Sequence, residues 1–357
     1  MTRSRTAPLQ AALLGLTHPH SGKLLSTLHN LPEIGAVSLW ENKPGAARSD
    51  ALPRSRKVRL VTQELDAILD DRKIDFAIVC VRTVEAAAFA RRVLAAGKHL
   101  LAEKPVGLTA AEIRALDRVA TRSRRQAAVL YLNRARPVVR EARRLVQSGT
   151  IGPILSQEAR ILTTQVRFRD PESWLFRRRE AGGGILTWLG CHFLDLLYHI
   201  SGDEISAVAA VLARRSGEKI DVEDSAALAL RFRSGAVGTF HAGYALAHSG
   251  GGYLNSGYDT HLACNGRDGR IVWPNLREPR LQIESPGVSP VRKRRFRTRA
   301  SSSYGGAPGE DFVRQFLASL RGAAEVPAGL QDAVRVAEVI EAAHRSAKTG
   351  RWVETGR

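Results

Sequence analysis

A doubly wound parallel sheet followed by an α+β domain with a largely antiparallel, open sheet is the fold class predicted by this 357-residue sequence. Three observations predict it. Apolar strand-like runs alternate with helical segments up to about residue 126. One of these runs, Ile74 to Val81, is nearly continuous in apolar residues, as in a parallel strand covered on both faces. From Ile154 onward strand-like runs follow one another with a single helical interruption.

The elements read in order as follows. Residues 10–16 (QAALLGL) form a buried strand, and helical signals then continue to about Leu31. Ala36 to Trp40 is a second strand ending at Glu41, and Gln63 to Asp71 is helical. After the Ile74 strand, Val84 to Ala96 is an alanine-rich helix stopped by Gly97, a residue suited to the left-handed cap position. His99 to Ala102 is the next strand, and Thr109 with Glu112 forms a capping box that opens another helix. Pro137 to Gln147 is a helix ended by Gly149. The later strands are Ser156 to Thr163, Ile205 to Arg214, Ser225 to Phe232, Val237 to Tyr244 and His261 to Val272, with helical Gly190 to Ile200 between them. Gly250 to Gly257 and Ser301 to Gly309 read as Gly/Ser-rich loops. Gln331 to Ala347 is an amphipathic helix ending near Gly350.

Composition narrows the function classes. Lysine and arginine number 54 against 35 acidic residues, a net charge of +19. The charge is scattered, however, and is dense only at Arg54 to Arg59 and Arg292 to Arg299. No helix-turn-helix, zinc-finger or RNP signature accompanies it, so nucleic acid is not the expected partner. Solvated basic loops and a pull on acidic ligands account for the excess. No apolar run approaches the ~20 residues of a membrane span. Arg3 and Arg5 before the apolar run Leu9 to Leu16 look a little like a signal peptide, but no small-residue cleavage site follows. The segment reads as the first strand and the protein as cytoplasmic. Cys80, Cys191 and Cys264 are too few and too spaced for a disulfide framework or a zinc site, and no metal is expected.

Two stretches carry the chemistry. Ala102-Glu103-Lys104-Pro105 puts Lys104 at the end of an apolar strand, where Pro105 restricts the backbone. Gly182-Gly183-Gly184 and Gly190-Cys191-His192-Phe193-Leu194-Asp195 put His192 after a glycine-rich approach into a helix. An ammonium and an imidazole in one pocket suit hydride chemistry on an alcohol. The glycines also have a plainer reading, as a tight turn or a close packing contact. The first strand ends in Gly15-Leu16-Thr17-His18-Pro19-His20-Ser21-Gly22. A dinucleotide-binding turn reads G-x-G-x-x-G. Here its slots hold Gly15, Thr17 and His20, so only the first glycine is present. Glu41 stands where an acidic residue accepts hydrogen bonds from ribose hydroxyls, which favours NAD over NADP. Lys43 nearby leaves NADP open. His18 and His20 read as pyrophosphate-loop residues rather than metal ligands.

Together these residues resemble the glucose–fructose oxidoreductase / inositol 2-dehydrogenase / MocA family. The resemblance runs through Ala96 to Pro105, Tyr131-Leu132-Asn133-Arg134, Gly149-Thr150-Ile151-Gly152, Ala181 to Asp195, Val222-Glu223-Asp224-Ser225 and the tail from Ala342 to Val353. It implies an N-terminal Rossmann domain over 1–126 and a C-terminal domain over 127–357 for substrate binding and oligomerisation. It implies NAD(P)-dependent oxidation or reduction of sugars, polyols and related compounds, a place in sugar metabolism and a homo-oligomer. By position it assigns the cofactor to Gly15, Thr17, His18, His20, Glu41, Arg82, Thr83, Glu103 and Lys104. It assigns the substrate to Asn133, Trp188 and His192. Lys104 would touch the nicotinamide ribose and the substrate hydroxyl and stabilise a developing alkoxide. His192 would be the general acid/base, and Asp195 a helix anchor.

This chain departs from the family pattern at several places. Trp188 stands where the family commonly has an aspartate four residues before the histidine, and could stack on a ring. Arg82-Thr83 replace a frequent Pro-Asn, and Arg82 could reach a phosphate or an acidic substrate. These departures keep two other readings in view. One is an enzyme with retained NAD performing elimination or glycoside cleavage without net redox. The other is a non-catalytic nicotinamide-binding sensor.

Overall fold

Two compact units divide the chain. The first takes the residues up to Ala135 together with Arg299–Val334, and the second takes Arg136–Thr298 with Arg335–Arg357. The computed structural model describes residues 7–42, 54–247, 256–275, 278–286 and 288–356. Arg3, Arg5, Lys43 and most of the Gly250 to Gly257 loop lie outside the described residues.

The first unit is built on six parallel strands. They are β1 (Leu9–Leu14), β2 (Ile34–Trp40), β3 (Val58–Thr62), β4 (Phe76–Val79), β5 (His99–Ala102) and β6 (Ala127–Val129). Their spatial order is β3-β2-β1-β4-β5-β6, all pairs parallel. This is the order of dinucleotide-binding sheets, with the chain reversing direction across the sheet between β1 and β4. Helices α1 (Ser21–Asn30), α2 (Leu65–Leu69), α3 (Thr83–Ala95) and α4 (Ala110–Ser123) connect the strands. Central strands need apolar residues on both faces. Leu13, Leu14, Phe76, Ile78, Leu100 and Leu101 are accordingly all buried.

In the second unit, α5 (Pro137–Gln147) precedes β7 (Ile154–Thr164). A four-residue helix α6 (Arg178–Ala181) leads to a π-helical turn at Leu186–Gly190 and then α7 (Cys191–Ser201). The strands β8 (Ile205–Ala213), β9 (Ser225–Phe232), β10 (Val237–Leu246), β11 (Tyr258–Gly266), β12 (Gly269–Trp273), β13 (Arg280–Ser285) and β14 (Val288–Arg295) follow. In the order β14-β13-β12-β11-β7-β10-β9-β8-β15 they form one sheet, whose last member β15 is Val353–Glu354. Only the β7–β10 pair is parallel, so the sheet is largely antiparallel as expected. Strand β9 alternates buried and exposed residues, the pattern of a sheet with one solvated face. Val139, Leu145, Leu196, Ile200, Leu262 and Trp273 form the core between α5, α7 and the sheet.

The structure differs from the sequence reading at identifiable places. The sequence divides the chain at 126/127, whereas the compact units divide after Ala135, and residues 299–334 return to the first. The reason is pairing: β6 bonds to β5, and Val129 N donates to the Ala328 carbonyl from the returning segment. The single run His261 to Val272 is a hairpin, β11 to β12, turning at Arg267-Asp268. Gly266 allows that turn, since a Cβ there would stand 2.0 Å from the Ile151 carbonyl oxygen. The loop read over Ser301 to Gly309 gives way to helix α8 (Gly306–Leu320). Its Phe316 packs edge-on against Phe76 at 5.6 Å, burial that a Gly/Ser-rich start does not reveal. The capping box is half formed. Thr109 Oγ1 accepts from Glu112 N, but Glu112 Oε2 accepts from Leu108 N instead of Thr109 N. The C-terminal helix α9 runs over Leu330–Thr349. The basic segment 292–299 includes the end of edge strand β14, where Arg294 is ion-paired with Glu141. Charged side chains on an edge discourage pairing with another sheet.

Phe76→Ala opens a cavity beneath α8 and is expected to cost about 3–5 kcal/mol. Urea denaturation followed by circular dichroism checks it, and an unchanged midpoint would contradict the packing role of Phe76.

Candidate active site

The carboxyl ends of β1 and β4 meet at Gly15. Its φ is +94°, and a Cβ there would lie 2.2 Å from the Cys80 carbonyl oxygen. Gly15 N donates to Trp40 O, Cys80 N to Leu14 O, and Ser21 Oγ closes the turn on Gly15 O at 2.8 Å. The first glycine of the motif therefore has a steric reason.

The two side chains that replace the other glycines are both committed within the unit. Glu41 directly follows β2 and is buried. Its Oε2 accepts from Leu16 N at 2.9 Å and from both N and Oγ1 of Thr17 at 3.2 Å. Thr17 in the second slot thus ties the turn to the acidic residue. His20 in the third slot is 3% exposed, and its Nδ1 lies 3.0 Å from Glu103 Oε1. The His20 ring lies against Tyr304, with centroids 4.4 Å apart, and Tyr304 Oη donates to Glu103 Oε1 at 3.3 Å. His18 Nδ1 accepts from His20 N at 3.2 Å.

Lys104 follows Glu103 at the end of β5, 1% exposed, with Nζ 3.8 Å from Glu103 Oε1. Burial, with Lys104 nearby, holds both imidazoles well below the ordinary histidine range, so both are neutral. Burial likewise pushes the Glu103 carboxyl up, partly offset by Lys104. The Cys80 thiol is also pushed up by burial and is no nucleophile. Arg82, the residue before α3, forms a two-point contact with Glu85 at 2.9 and 3.0 Å, and Thr83 is buried at the first turn. Asn133 is half-buried in the 3₁₀ turn Leu132–Ala135.

The remaining predicted residues lie in the second unit. The helical stretch 185–201 starts after Gly184, and the half-buried His192 sits just beyond its π-turn. Trp188 is 2% exposed and meets Trp174 edge-on at 5.7 Å. An indole so buried has the packing role that a tryptophan in a helix commonly has, beside the ring contact the sequence left open. Asp195 is buried within α7, in keeping with an anchoring role. Sequence reasoning missed Tyr304, which lies 201 residues from Glu103 in a segment read as loop. It also named Glu223 without assigning it a role. Among the described residues no cluster of His, Cys, Asp or Glu is placed to hold a metal.

With the sheet order and turn in place, comparison with known proteins is direct. Residues 19–131 match the oxidoreductase-family NAD-binding Rossmann model, and residues 139–272 match the GFO/IDH/MocA C-terminal domain. The chain belongs to the Gfo/Idh/MocA family. Its cofactor domain is the NAD-binding Rossmann fold of that family, and the match begins after the altered Gly15 to His18 stretch. Levoglucosan dehydrogenase of Pseudarthrobacter phenanthrenivorans is 29% identical over 62% of this chain and 61% of its own length. The chain thus spans about three fifths of that relative. Inositol 2-dehydrogenase of Rhizobium meliloti is 25% identical over 89% and 90%. An oxidoreductase domain protein from Kribbella flavida superposes with a TM-score of 0.85 at 21% identity, covering 98% of this chain and 100% of that one. A levoglucosan dehydrogenase structure holding NADH and levoglucosan gives 0.84 at 22% identity, with the same coverage. These likenesses show that the Gfo/Idh/MocA fold extends over the chain.

The neutral imidazoles set a pH response. Above pH ~6.5 they are uncharged whether folded or unfolded, so their contribution is fully present. Below it the unfolded chain gains protons that buried His18 and His20 refuse, and stability falls. Glu103, pushed the other way, is more stabilising at low pH and loses that contribution as pH rises. Replacing both histidines by asparagine is expected to make stability fall less between pH 6.5 and 5.5 than it does in wild type. Urea midpoints at the two pH values, compared between wild type and the double variant, measure it.

Proposed function

We propose that the protein transfers a hydride between NAD and a sugar, polyol or related hydroxyl or carbonyl compound. Lys104 carries this reading. It is a fully buried lysine at the carboxyl end of β5, in a sheet with dinucleotide-binding order. Burying an ammonium is costly unless it has work to do or a partner, and Glu103 stands 3.8 Å away.

The residues present fit a dinucleotide. Gly15 adopts a conformation and an approach to Cys80 that only glycine permits, and the turn delivers its chain into α1 as such cofactors require. The residues assigned to holding it are Gly15, Thr17, His18, His20, Glu41, Arg82, Thr83, Glu103 and Lys104. Glu41 favours NAD over NADP, because its carboxylate would repel a 2′-phosphate. When bound, the nicotinamide supplies or accepts the hydride. Lys104 stabilises negative charge on the substrate oxygen. His192 takes or returns the hydroxyl proton. Asn133 orients the substrate, and Trp188, held against Trp174, shapes the wall near His192. Relatives named as dehydrogenases and a reductase support net hydride transfer over retained-NAD elimination or a sensor role.

The three cysteines, sparse and buried, support a cytoplasmic setting, and among the described residues no helix is long and apolar enough to cross a membrane. The family resemblance supports association into a homo-oligomer.

Lys104→Ala and His192→Ala are each expected to lower kcat/KM on a sugar or polyol at least about 100-fold. His192→Ala should leave the NADH dissociation constant within about twofold, since it removes proton transfer and no cofactor contact. Calorimetric titration with NADH and NADPH, then a sugar and polyol panel followed by nicotinamide absorbance, tests this. Absence of nicotinamide binding, or full activity in both variants, overturns the reading.

A further inference from the structure

Glu223 lies between β8 and β9 and is 4% exposed, a degree of burial that a carboxylate tolerates only with donors around it. Its Oε1 accepts from Gly184 N at 2.8 Å and from Leu186 N at 3.2 Å. Its main-chain oxygen accepts from Ile185 N at 3.0 Å. One residue therefore satisfies three consecutive N–H groups where a helical stretch begins, groups that have no partner within the helix itself. A negative charge also suits that helix end. The approach is so close that a Cβ on Gly184 would stand 1.8 Å from the Glu223 carbonyl oxygen.

The Glu223 main chain is itself held to the sheet. Asp224 Oδ2 accepts from Arg215 N and Ser216 N, both at 2.7 Å, and Asp224 O accepts from Tyr244 N. On the helix side the contact is passed along. Trp188 N donates to Gly184 O at 2.9 Å, and Cys191 Sγ lies 3.7 Å from Trp188 O, one residue before His192. Glu223 Oε2 has Arg178 at 3.8 Å and His344 at 3.9 Å, with no hydrogen-bond partner among the described residues. The carboxylate is thus oriented toward the helix by its Oε1 contacts, with two basic side chains nearby.

We propose that Glu223 is a positioning residue: by tying Gly184 and Leu186 to the sheet it sets where the helix presents Trp188 and His192. This rests on the role given to His192 above. A displacement of about 1 Å at a catalytic group can cost about 100-fold in rate, and loss of an orienting partner about 10- to 100-fold. Glu223 acts through the helix whose first N–H groups it holds.

The test compares Glu223→Ala, which removes the acceptor, with Glu223→Gln, which keeps an oxygen at Oε1. In Glu223→Ala, kcat/KM is expected to fall about 100-fold with the NADH dissociation constant within about twofold. Glu223→Gln is expected to stay within about fivefold of wild type. Hydrogen exchange at the Gly184 and Leu186 amides should accelerate in the alanine variant and not in the glutamine variant. Wild-type kcat/KM in Glu223→Ala, an equal loss in Glu223→Gln, or a parallel loss of NADH binding overturns the proposal. Should Glu223→Ala not fold, Glu223→Asp replaces it. Its shorter carboxylate is expected to lose more kcat/KM than Glu223→Gln, and the reverse order overturns the proposal. If wild type turns over no sugar or polyol, the functional reading fails by itself. Amide exchange then decides this proposal alone, and unchanged exchange in the alanine or aspartate variant overturns it.

Discussion

Backbone N–H groups left over at a glycine turn must find acceptors, and in each unit a buried carboxylate provides them. In the first, Glu41 accepts from the main chain of Leu16 and Thr17. In the second, Glu223 accepts from Gly184 and Leu186. Both arrangements need a glycine where the chain passes another carbonyl: Gly15 against Cys80, and Gly184 against Glu223. Each fixes the point at which a helix leaves a strand end or loop, and the residues proposed to do chemistry follow from those points. A carboxylate suits this task because it can accept several hydrogen bonds at once, and each is stronger for its charge.

The same logic explains the buried polar cluster beside the first turn. Glu103, Lys104, His18, His20 and Tyr304 together place one carboxyl, one amine, two imidazoles and a phenol in a space with little water. Such a group is tolerable only when most members are neutral or face opposite charge. Burial keeps the imidazoles neutral, so the ammonium of Lys104 meets no cationic histidine. His20 is thus more than a substitute for a missing glycine. Its ring fills the space beside Tyr304 that a smaller residue would leave open.

Much of this was legible in the sequence. The apolar run at Ile74, the Gly97 cap and the Pro137 helix start are local signals, and the corresponding elements formed with boundaries shifted by a few residues. The spacing from Gly15 points to Glu41, and the apolar strand before Pro105 points to Lys104; both residues follow strands of the parallel sheet. Tyr304 was not found, since nothing near it in sequence is polar in a telling pattern. The hairpin in His261 to Val272 does have a local signal, because the polar stretch Asn265 to Arg270, with its Asn-Gly and Asp-Gly pairs, breaks the apolar residues in two. Trp188 illustrates the converse: its type allows both a core and a ring-stacking role, and only the tertiary structure shows it buried against Trp174.

By itself the sequence determined the fold class, the family motifs and the chemical types at the site, because periodicity, glycines and strand-end residues act over short distances. Tertiary structure alone decided which carboxylate serves which turn, that residues 299–334 return to the first unit, and that burial pushes both histidines below their ordinary range. Each of these depends on contacts between residues far apart in the chain or on exclusion of water. Neither is written in the neighbourhood of any single residue.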